Sequence, residues 1–304
     1  MHRRTFSQLT LLGSGSVFIQ PSGGLSIPPD RMQQFPLHFA PHLGMFRHHA
    51  GDHPIAQLEF MSDTGFTACE DNEMRNRPIE LQKEMAAAMA RRGLKMGVFV
   101  AHRIYWQEPN LTSGNVDHRE EFLQDIRASV EVAKRVNATW MTVVPGHLDL
   151  KKDMGYQTAN VIETLKHASA ILELHDLVMV LEPLNFHDHP GLFLSKAAQA
   201  YEICKAVDSP ACKILYDIYH QQITEGNLIP NIESAWDQIA YFQIGDNPGR
   251  NEPTTGEINY QNIFRYLASR GYAGILGMEH GNSKPGLEGE KAVIEAYKKC
   301  SDFE

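Results

Sequence analysis

A closed parallel α/β barrel, eight strands inside and helices outside, is the fold this sequence predicts. Eight short β-rich runs recur from residue 37 onward, and longer stretches with apolar residues at three- and four-residue steps lie between them. No second composition shift interrupts the alternation, which favours closure of the sheet over an open one. The length of 304 residues suits one such barrel, which commonly uses about 250.

In chain order the strand candidates are Leu37 to Met45, Phe66 to Glu70, Lys95 to Ala101, Trp140 to Pro145, Val178 to Pro183, Lys213 to Ile218, Ala240 to Gly245 and Gly274 to Glu279. Each is short and rich in β-branched, aromatic or other apolar residues, as strands are. The helical stretches include Ile79 to Arg92, Glu120 to Val136, Ala159 to Leu174 and Ala197 to Val207, each long enough to cross back over a sheet. These runs define a single catalytic domain over residues 36–304.

Residues 1–30 have a different character. Arg3 and Arg4 precede Phe6, a diluted apolar stretch from Leu9 to Ile19, and a Pro/Gly/Ser segment that runs to Pro29. Paired arginines before a weakly apolar run resemble a twin-arginine export signal, which implies a periplasmic protein; a plain tail on a cytoplasmic protein is the alternative. No run of about eighteen apolar residues follows, so no membrane span is expected. The balance of 28 basic against 37 acidic residues gives a formal charge of -9, which repels polyanions and argues against a nucleic-acid partner. Cys69, Cys204, Cys212 and Cys300 have no CxxC spacing and read as packing residues.

Four of the predicted strands end in an oxygen-bearing side chain: Glu182 in LEPLN, Asp217 in LYDIYH, Gln243 in YFQIGDNPGR and Glu279 in LGMEHG. Functional groups in such barrels come from the C-terminal strand ends. One carboxylate at a strand end is usually a loop contact or a helix cap. Four oxygen donors on strands five to eight form a candidate site for a hard divalent cation, Mg2+ or Mn2+ rather than zinc.

The segments LEPLN, DIYHQQ, FQIGDNPGRNEPTTGEINY and GMEHG resemble the matching segments of the hydroxypyruvate isomerase family, in the xylose-isomerase-like barrel superfamily of sugar isomerases and epimerases. The similarity is strong from Glu182 to Gly281 and weaker back to Phe39. It implies that Glu182, Asp217, Gln243 and Glu279 bind a divalent metal, with Glu182 and Glu279 as the acid/base pair. The reaction moves a proton between neighbouring carbons of an α-hydroxy carbonyl compound through an enediolate. A cation stabilises the developing negative charge, and carboxylates carry the proton. Hydroxypyruvate and tartronate semialdehyde are the nearest substrate pair. A ketose 3-epimerase or an aldose-ketose isomerase uses the same chemistry; a catalytically silent sugar-binding barrel and a DNA-cleaving barrel are alternatives of other classes.

The resemblance also gives His220 a role at a substrate oxygen. Arg250 is placed to clamp a substrate carboxylate, or else to pair with Glu252 or Glu257. Asn185 orients Glu182, touches substrate or shapes a turn; His147 contacts substrate or packs its loop. His187 and His189 are expected in a solvated loop rather than at a second metal. Family members usually carry Arg, His and Tyr where this chain has His187, Tyr241 and His280, changes that bear on substrate choice. Tyr105 and Trp106 offer a platform for a sugar ring or a subunit contact, which leaves a homo-oligomer open.

Overall fold

The structure, a computed structural model, describes residues 35–303. The twin-arginine segment and the proposed 1–30 boundary lie outside the described residues. Eight parallel strands follow one another along the chain: β1 (His38–Pro41), β2 (Ala68–Cys69), β3 (Lys95–Met96), β4 (Trp140–Val143), β5 (Val178–Leu181), β6 (Cys212–Asp217), β7 (Ile239–Ile244) and β8 (Ile275–Met278). The helices are α1 (Arg47–Ala50), α2 (Pro54–Asp63), α3 (Ile79–Arg92), α4 (Val116–Val136), α5 (Met154–Leu172), α6 (Ala197–Val207), α7 (Ile218–Thr224), α8 (Leu228–Ala235), α9 (Tyr260–Ser269) and α10 (Gly286–Cys300).

Six strands form a continuous sheet in the order β1-β8-β7-β6-β5-β4, and β2 pairs with β3. Single bridges, His42 to Glu70, Met96 to Ala138 and Val100 to Thr142, join the two pieces at both seams. The barrel therefore closes as expected, with β2 and β3 ladders shorter than their apolar runs. Local signals set the helix ends. Asn115 accepts from the Asp117 N–H and starts α4 before Glu120, while the Asp153 carboxylate accepts from the Gly155 N–H and starts α5 before Ala159.

Pleating divides the side chains. On β4, Met141 and Val143 join the large core under the helices, whereas Trp140 packs toward the barrel interior with Ala40, Ala68, Val98, Val180, Leu215, Tyr241 and Ile275. These residues fill the barrel floor. One pleat higher, the inward positions carry the chemistry: Glu70, Thr142, Glu182, Asp217 and Gln243. A register shift between Ile214 and Leu215 sets Asp217 directly beside Gln243, and Gln243 beside Gly277. Gly277 is needed there. A Cβ at that position would lie 1.8 Å from Glu70 Oε2, so the missing side chain makes room for a carboxylate inside the barrel.

Candidate active site

Glu182, Asp217 and His220 meet at the rim: each offers a ligand-type atom, and the three atoms lie within 4.8 Å of one another. Asp217 does two jobs. Its Oδ1 accepts from the Tyr219 and His220 N–H groups at 2.8 and 3.2 Å and so caps α7, while Oδ2 stays free of the cap and points to the site. Glu279 enters through Arg250, whose Nη2 lies 2.7 Å from Glu279 Oε2 and 3.1 Å from Asp217 Oδ2. A single guanidinium nitrogen thus sits between two carboxylates.

Gln243 is held from below. Its Nε2 donates to Glu70 Oε1 at 2.8 Å, and Tyr241 donates to the other Glu70 oxygen at 2.8 Å. This fixes the sense of the Gln243 amide and leaves its Oε1 buried without a partner. Sequence reasoning missed Glu70. Its signal was of the same kind as the others, a carboxylate ending the second predicted strand.

Burial and mutual repulsion set the proton affinities. Burial pushes Glu182 well above the usual carboxylate range, and the Glu279 and Asp217 charges push it further while Arg250 opposes them. Glu279 is also raised, mainly by burial, although a quarter of its side chain reaches solvent. Burial, with a contribution from Glu279, lifts Glu70 to about 8. Burial alone would lower the Arg250 guanidinium, but Glu279, Asp217 and Glu182 hold it charged.

His220 is fully buried, and Asn185 decides its tautomer. The Asn185 Oδ1 accepts from the N–H groups of His187 and Asp188, so its Nδ2 is the edge that faces His220 Nδ1, at 2.7 Å. The Asn185 backbone N–H also donates to that nitrogen, at 3.3 Å. Burial lowers the imidazole to about 4, so the ring is neutral near pH 7; the two Asn185 donors on Nδ1 assign its proton to Nε2, and Arg250 Nη2, 3.2 Å from Nε2, keeps its own hydrogens on Glu279 and Asp217. A nitrogen that carries a proton cannot ligate a cation. His220 therefore presents a donor to the cavity, and Asn185 acts by orienting His220 rather than Glu182.

Arg250 is delivered by the loop after β7. The Asp246 carboxylate gathers the N–H groups of Asn247, Gly256 and Ile258, and the Arg250 carbonyl accepts from Gly281 N–H at 2.9 Å. The Arg250 backbone is left-handed, with φ of 49°, and its guanidinium lies over the Tyr219 ring at 4.9 Å. Neither expected structural partner takes it: Glu252 accepts from Ser283, and Glu257 accepts from Gln222 and Asn247.

Two cavities flank this guanidinium. One, of about 150 Å3, is lined by Asn72, Val100, Ile104, Trp106, Thr142, Val144, Glu182, Leu184, His189, His220, Arg250 and Glu279. The other, of about 470 Å3, opens toward His42, Asp71, Glu73, Arg77 and His280 and shares Asn72, Arg250 and Glu279. His147 lines neither. Its Nδ1 bonds the Leu148 carbonyl and its ring lies against Gly191, where a Cβ would come within 2.1 Å, so it packs the loop after β4. His189 stacks on Trp106 and stands edge-on to His220, whereas exposed His187 stacks on Phe186. Tyr105 turns away from the cavity to bond Glu121. Tyr241 belongs to the barrel floor, and His280 accepts from or donates to Tyr297 at 2.9 Å beside the larger cavity.

A family model described as a xylose isomerase-like TIM barrel matches residues 58–300. A putative hydroxypyruvate isomerase from Danio rerio is 31% identical over 242 residues, covering 76% of this chain and 87% of that protein. The chain belongs to the hydroxypyruvate isomerase family of xylose isomerase-like TIM barrels. Hydroxypyruvate isomerase from Escherichia coli (strain K12) is 34% identical over 165 residues, 53% of this chain and 62% of that protein's length. A 2-oxo-tetronate isomerase from Cupriavidus necator is 29% identical over 198 residues, 65% of this chain and 76% of that protein. Among solved structures, an AP endonuclease of family 2 from Brucella melitensis superposes with a TM-score of 0.73 at 23% identity, covering 85% of this chain and 96% of that one. A D-psicose 3-epimerase from Clostridium cellulolyticum H10 gives 0.71 at 18% identity, covering 88% and 98%. These two likenesses concern the fold. At the level of the family, the expectation of an isomerase is met.

Proposed function

We propose that this hydroxypyruvate isomerase family member is a divalent-metal-dependent isomerase of small α-hydroxy carbonyl acids, with the interconversion of hydroxypyruvate and tartronate semialdehyde as its reference reaction. The observation that carries the reading is Gln243 Oε1, a buried acceptor without a partner on a residue that pairs in register with Asp217. An amide oxygen held this way suits a hard cation. Glu182, Asp217, Gln243 and Glu279 would hold it, and when bound the cation supplies positive charge to the oxygens of an enediolate.

The remaining chemistry belongs to the chain. Without a cation, Glu279 and Glu182 both bind protons more tightly than ordinary carboxylates; a bound divalent cation would oppose that shift and favour the ionised form in which a carboxylate acts as a base. One removes the proton from a substrate carbon and its partner completes the transfer. The Nε2–H of His220 donates to a substrate oxygen. Arg250 Nε is buried without a partner and offers its N–H to a carboxylate, a group that an acid supplies and a neutral ketose lacks. Trp106, Val144 and Leu184 keep the acid/base pair away from bulk water on one side.

The test is a substrate screen with Mn2+-loaded protein. Hydroxypyruvate should be consumed faster than unphosphorylated ketoses, and chelation should abolish turnover. Ketose turnover without activity on hydroxypyruvate would overturn the reading in favour of an epimerase or sugar isomerase. We also propose export through Arg3 and Arg4. Changing both to Lys should retain the protein in the cytoplasm, and unchanged periplasmic localisation would contradict this.

A further inference from the structure

The titratable side chains that line the cavity of about 150 Å3 are Glu182, Glu279, Arg250, His220 and His189. All but His189 have roles above. We propose that His189 is a further catalytic residue, which takes the proton of a substrate hydroxyl and returns it to the neighbouring oxygen while Glu182 and Glu279 move the proton on carbon. This rests on the isomerase reading and supplies the half of the reaction that the glutamates leave open.

The reaction calls for such a group. In hydroxypyruvate the hydroxymethyl carbon loses a proton and the adjacent carbonyl carbon gains one. The hydroxyl oxygen also loses its proton, the former carbonyl oxygen gains one, and the C=O double bond moves to the outer carbon. Protons balance at carbon and at oxygen, and no oxidant or reductant enters. A group at the oxygens must therefore accept a proton and then donate it. Arg250 is held charged and can only donate. His220 has its Nδ1 occupied by both Asn185 donors and its proton on Nε2, so it too can only donate. The glutamates are engaged at carbon. His189 remains.

Its setting fits the task. The His189 backbone N–H donates to the Asn185 carbonyl at 3.1 Å, closing the turn that Asn185 Oδ1 begins at His187 and Asp188. Past Pro190, the Leu148 N–H donates to the Gly191 carbonyl at 2.8 Å and the Phe193 N–H to the Gly146 carbonyl at 2.9 Å, which ties this loop to the one after β4. The imidazole stacks on Trp106 at 5.3 Å and stands edge-on to His220 at 5.5 Å. These ring contacts orient it without using its nitrogens. In other loops after strands, His42, His102, His147 and His280 each bond Nδ1 to the next residue's carbonyl, whereas among the described residues nothing hydrogen-bonds either ring nitrogen of His189. Burial, and after it the Arg250 charge, lower its proton affinity, with Asp188 and Asp217 opposing. The ring is therefore neutral near pH 7, with one nitrogen to accept a proton and the other to donate.

Turnover in deuterated water separates the two halves of the reaction. Metal-loaded wild type is compared with His189→Phe, which keeps a flat ring beside Trp106, and with His189→Gln, which keeps a polar end without an imidazole. Product formed from hydroxypyruvate and deuterium gained by recovered substrate, above the rate without enzyme, are read on the same samples by mass spectrometry. In both variants product formation should fall by about 10² or more, the loss expected for a positioned acid/base group. The enolate that the glutamates form then returns to substrate, so the ratio of deuterium incorporated to product formed should rise by roughly tenfold or more over wild type. A side chain that only shapes the loop would lower both together. An unchanged ratio, or product formation within about threefold of wild type, in a variant that keeps the wild-type melting temperature within a few degrees, overturns the proposal. If wild type neither forms product nor exchanges the carbon proton, the isomerase reading falls and the role of His189 with it; an active wild type with an unchanged ratio in the variants removes His189 alone.

Discussion

On the side of the cavity built by β5 to β8, the inward positions above the barrel floor carry Glu182, Asp217, Gln243 and Glu279, backed by Glu70 from β2; on β3 and β4 they carry Val100 and Thr142. The first side concentrates like charges where burial raises their proton affinity, and Arg250 is the cation that tempers them. The second side has almost nothing to titrate. One wall pays for chemistry in stability, and the other excludes water and gives shape.

Removing the chemistry from the acidic wall should have the largest effect. Glu182→Gln keeps an oxygen that can hold a cation but removes the carboxylate, so turnover should drop by about 10² to 10⁴ while metal content, measured by atomic absorption, changes little. Turnover within threefold of wild type would break the assignment. Next in size is Asn185→Asp, which keeps the oxygen that accepts from the His187 and Asp188 N–H groups and replaces the NH2 that faces His220. His220 should then carry its proton on Nδ1, visible in 15N shifts, and kcat should fall about tenfold to a hundredfold, a range typical for loss of an orienting partner.

Glu70 sharpens the comparison from below. In Glu70→Leu the acceptor that holds the Gln243 NH2 is gone, so the amide loses its fixed orientation, and metal affinity should weaken by about tenfold to a hundredfold. The same carboxyl has a pH signature in the metal-free protein. Its folded value of about 8 lies above the ordinary 4.5, so the folded state holds the proton more tightly than the unfolded chain. Its contribution is most favourable below 4.5 and declines as pH rises to about 8. Melting temperatures of metal-free protein should therefore fall across that window, and the fall should be shallower in Glu70→Gln. On the apolar wall, Trp106→Ala should matter least. The indole is 46% exposed, so stability should change by less than about 1 kcal/mol, with a several-fold rise in KM and a smaller change in kcat.

The barrel was legible because its signal repeats: six of the eight predicted runs contain an observed strand, β6 and β7 begin one residue before theirs, and the periodic stretches Ile79 to Arg92 and Ala197 to Val207 match α3 and α6 end to end. The strand-end donors were legible for the same reason, since position at a C-terminal strand end is encoded locally. Partnership is not. Glu70 meets Gln243 across more than 170 positions, and only closure of the barrel makes Gly277 the gap that admits its carboxylate. Asn185 reads as a turn residue in sequence, which it is; that its other edge sets the His220 tautomer depends on α7 arriving beside it. His147 shows the converse, a rim histidine by position whose ring is spent on Gly191.

The central claim is that two glutamates move a proton at a substrate carbon beside a cation, and solvent exchange during turnover tests it most directly. Metal-loaded wild type in deuterated water should place deuterium on the carbon of recovered substrate and product, read by mass spectrometry. Glu279→Gln, loaded to the same metal content, should show little exchange and a turnover lower by about 10² to 10⁴. Near-normal turnover or exchange by metal-loaded Glu279→Gln would contradict the two-glutamate account.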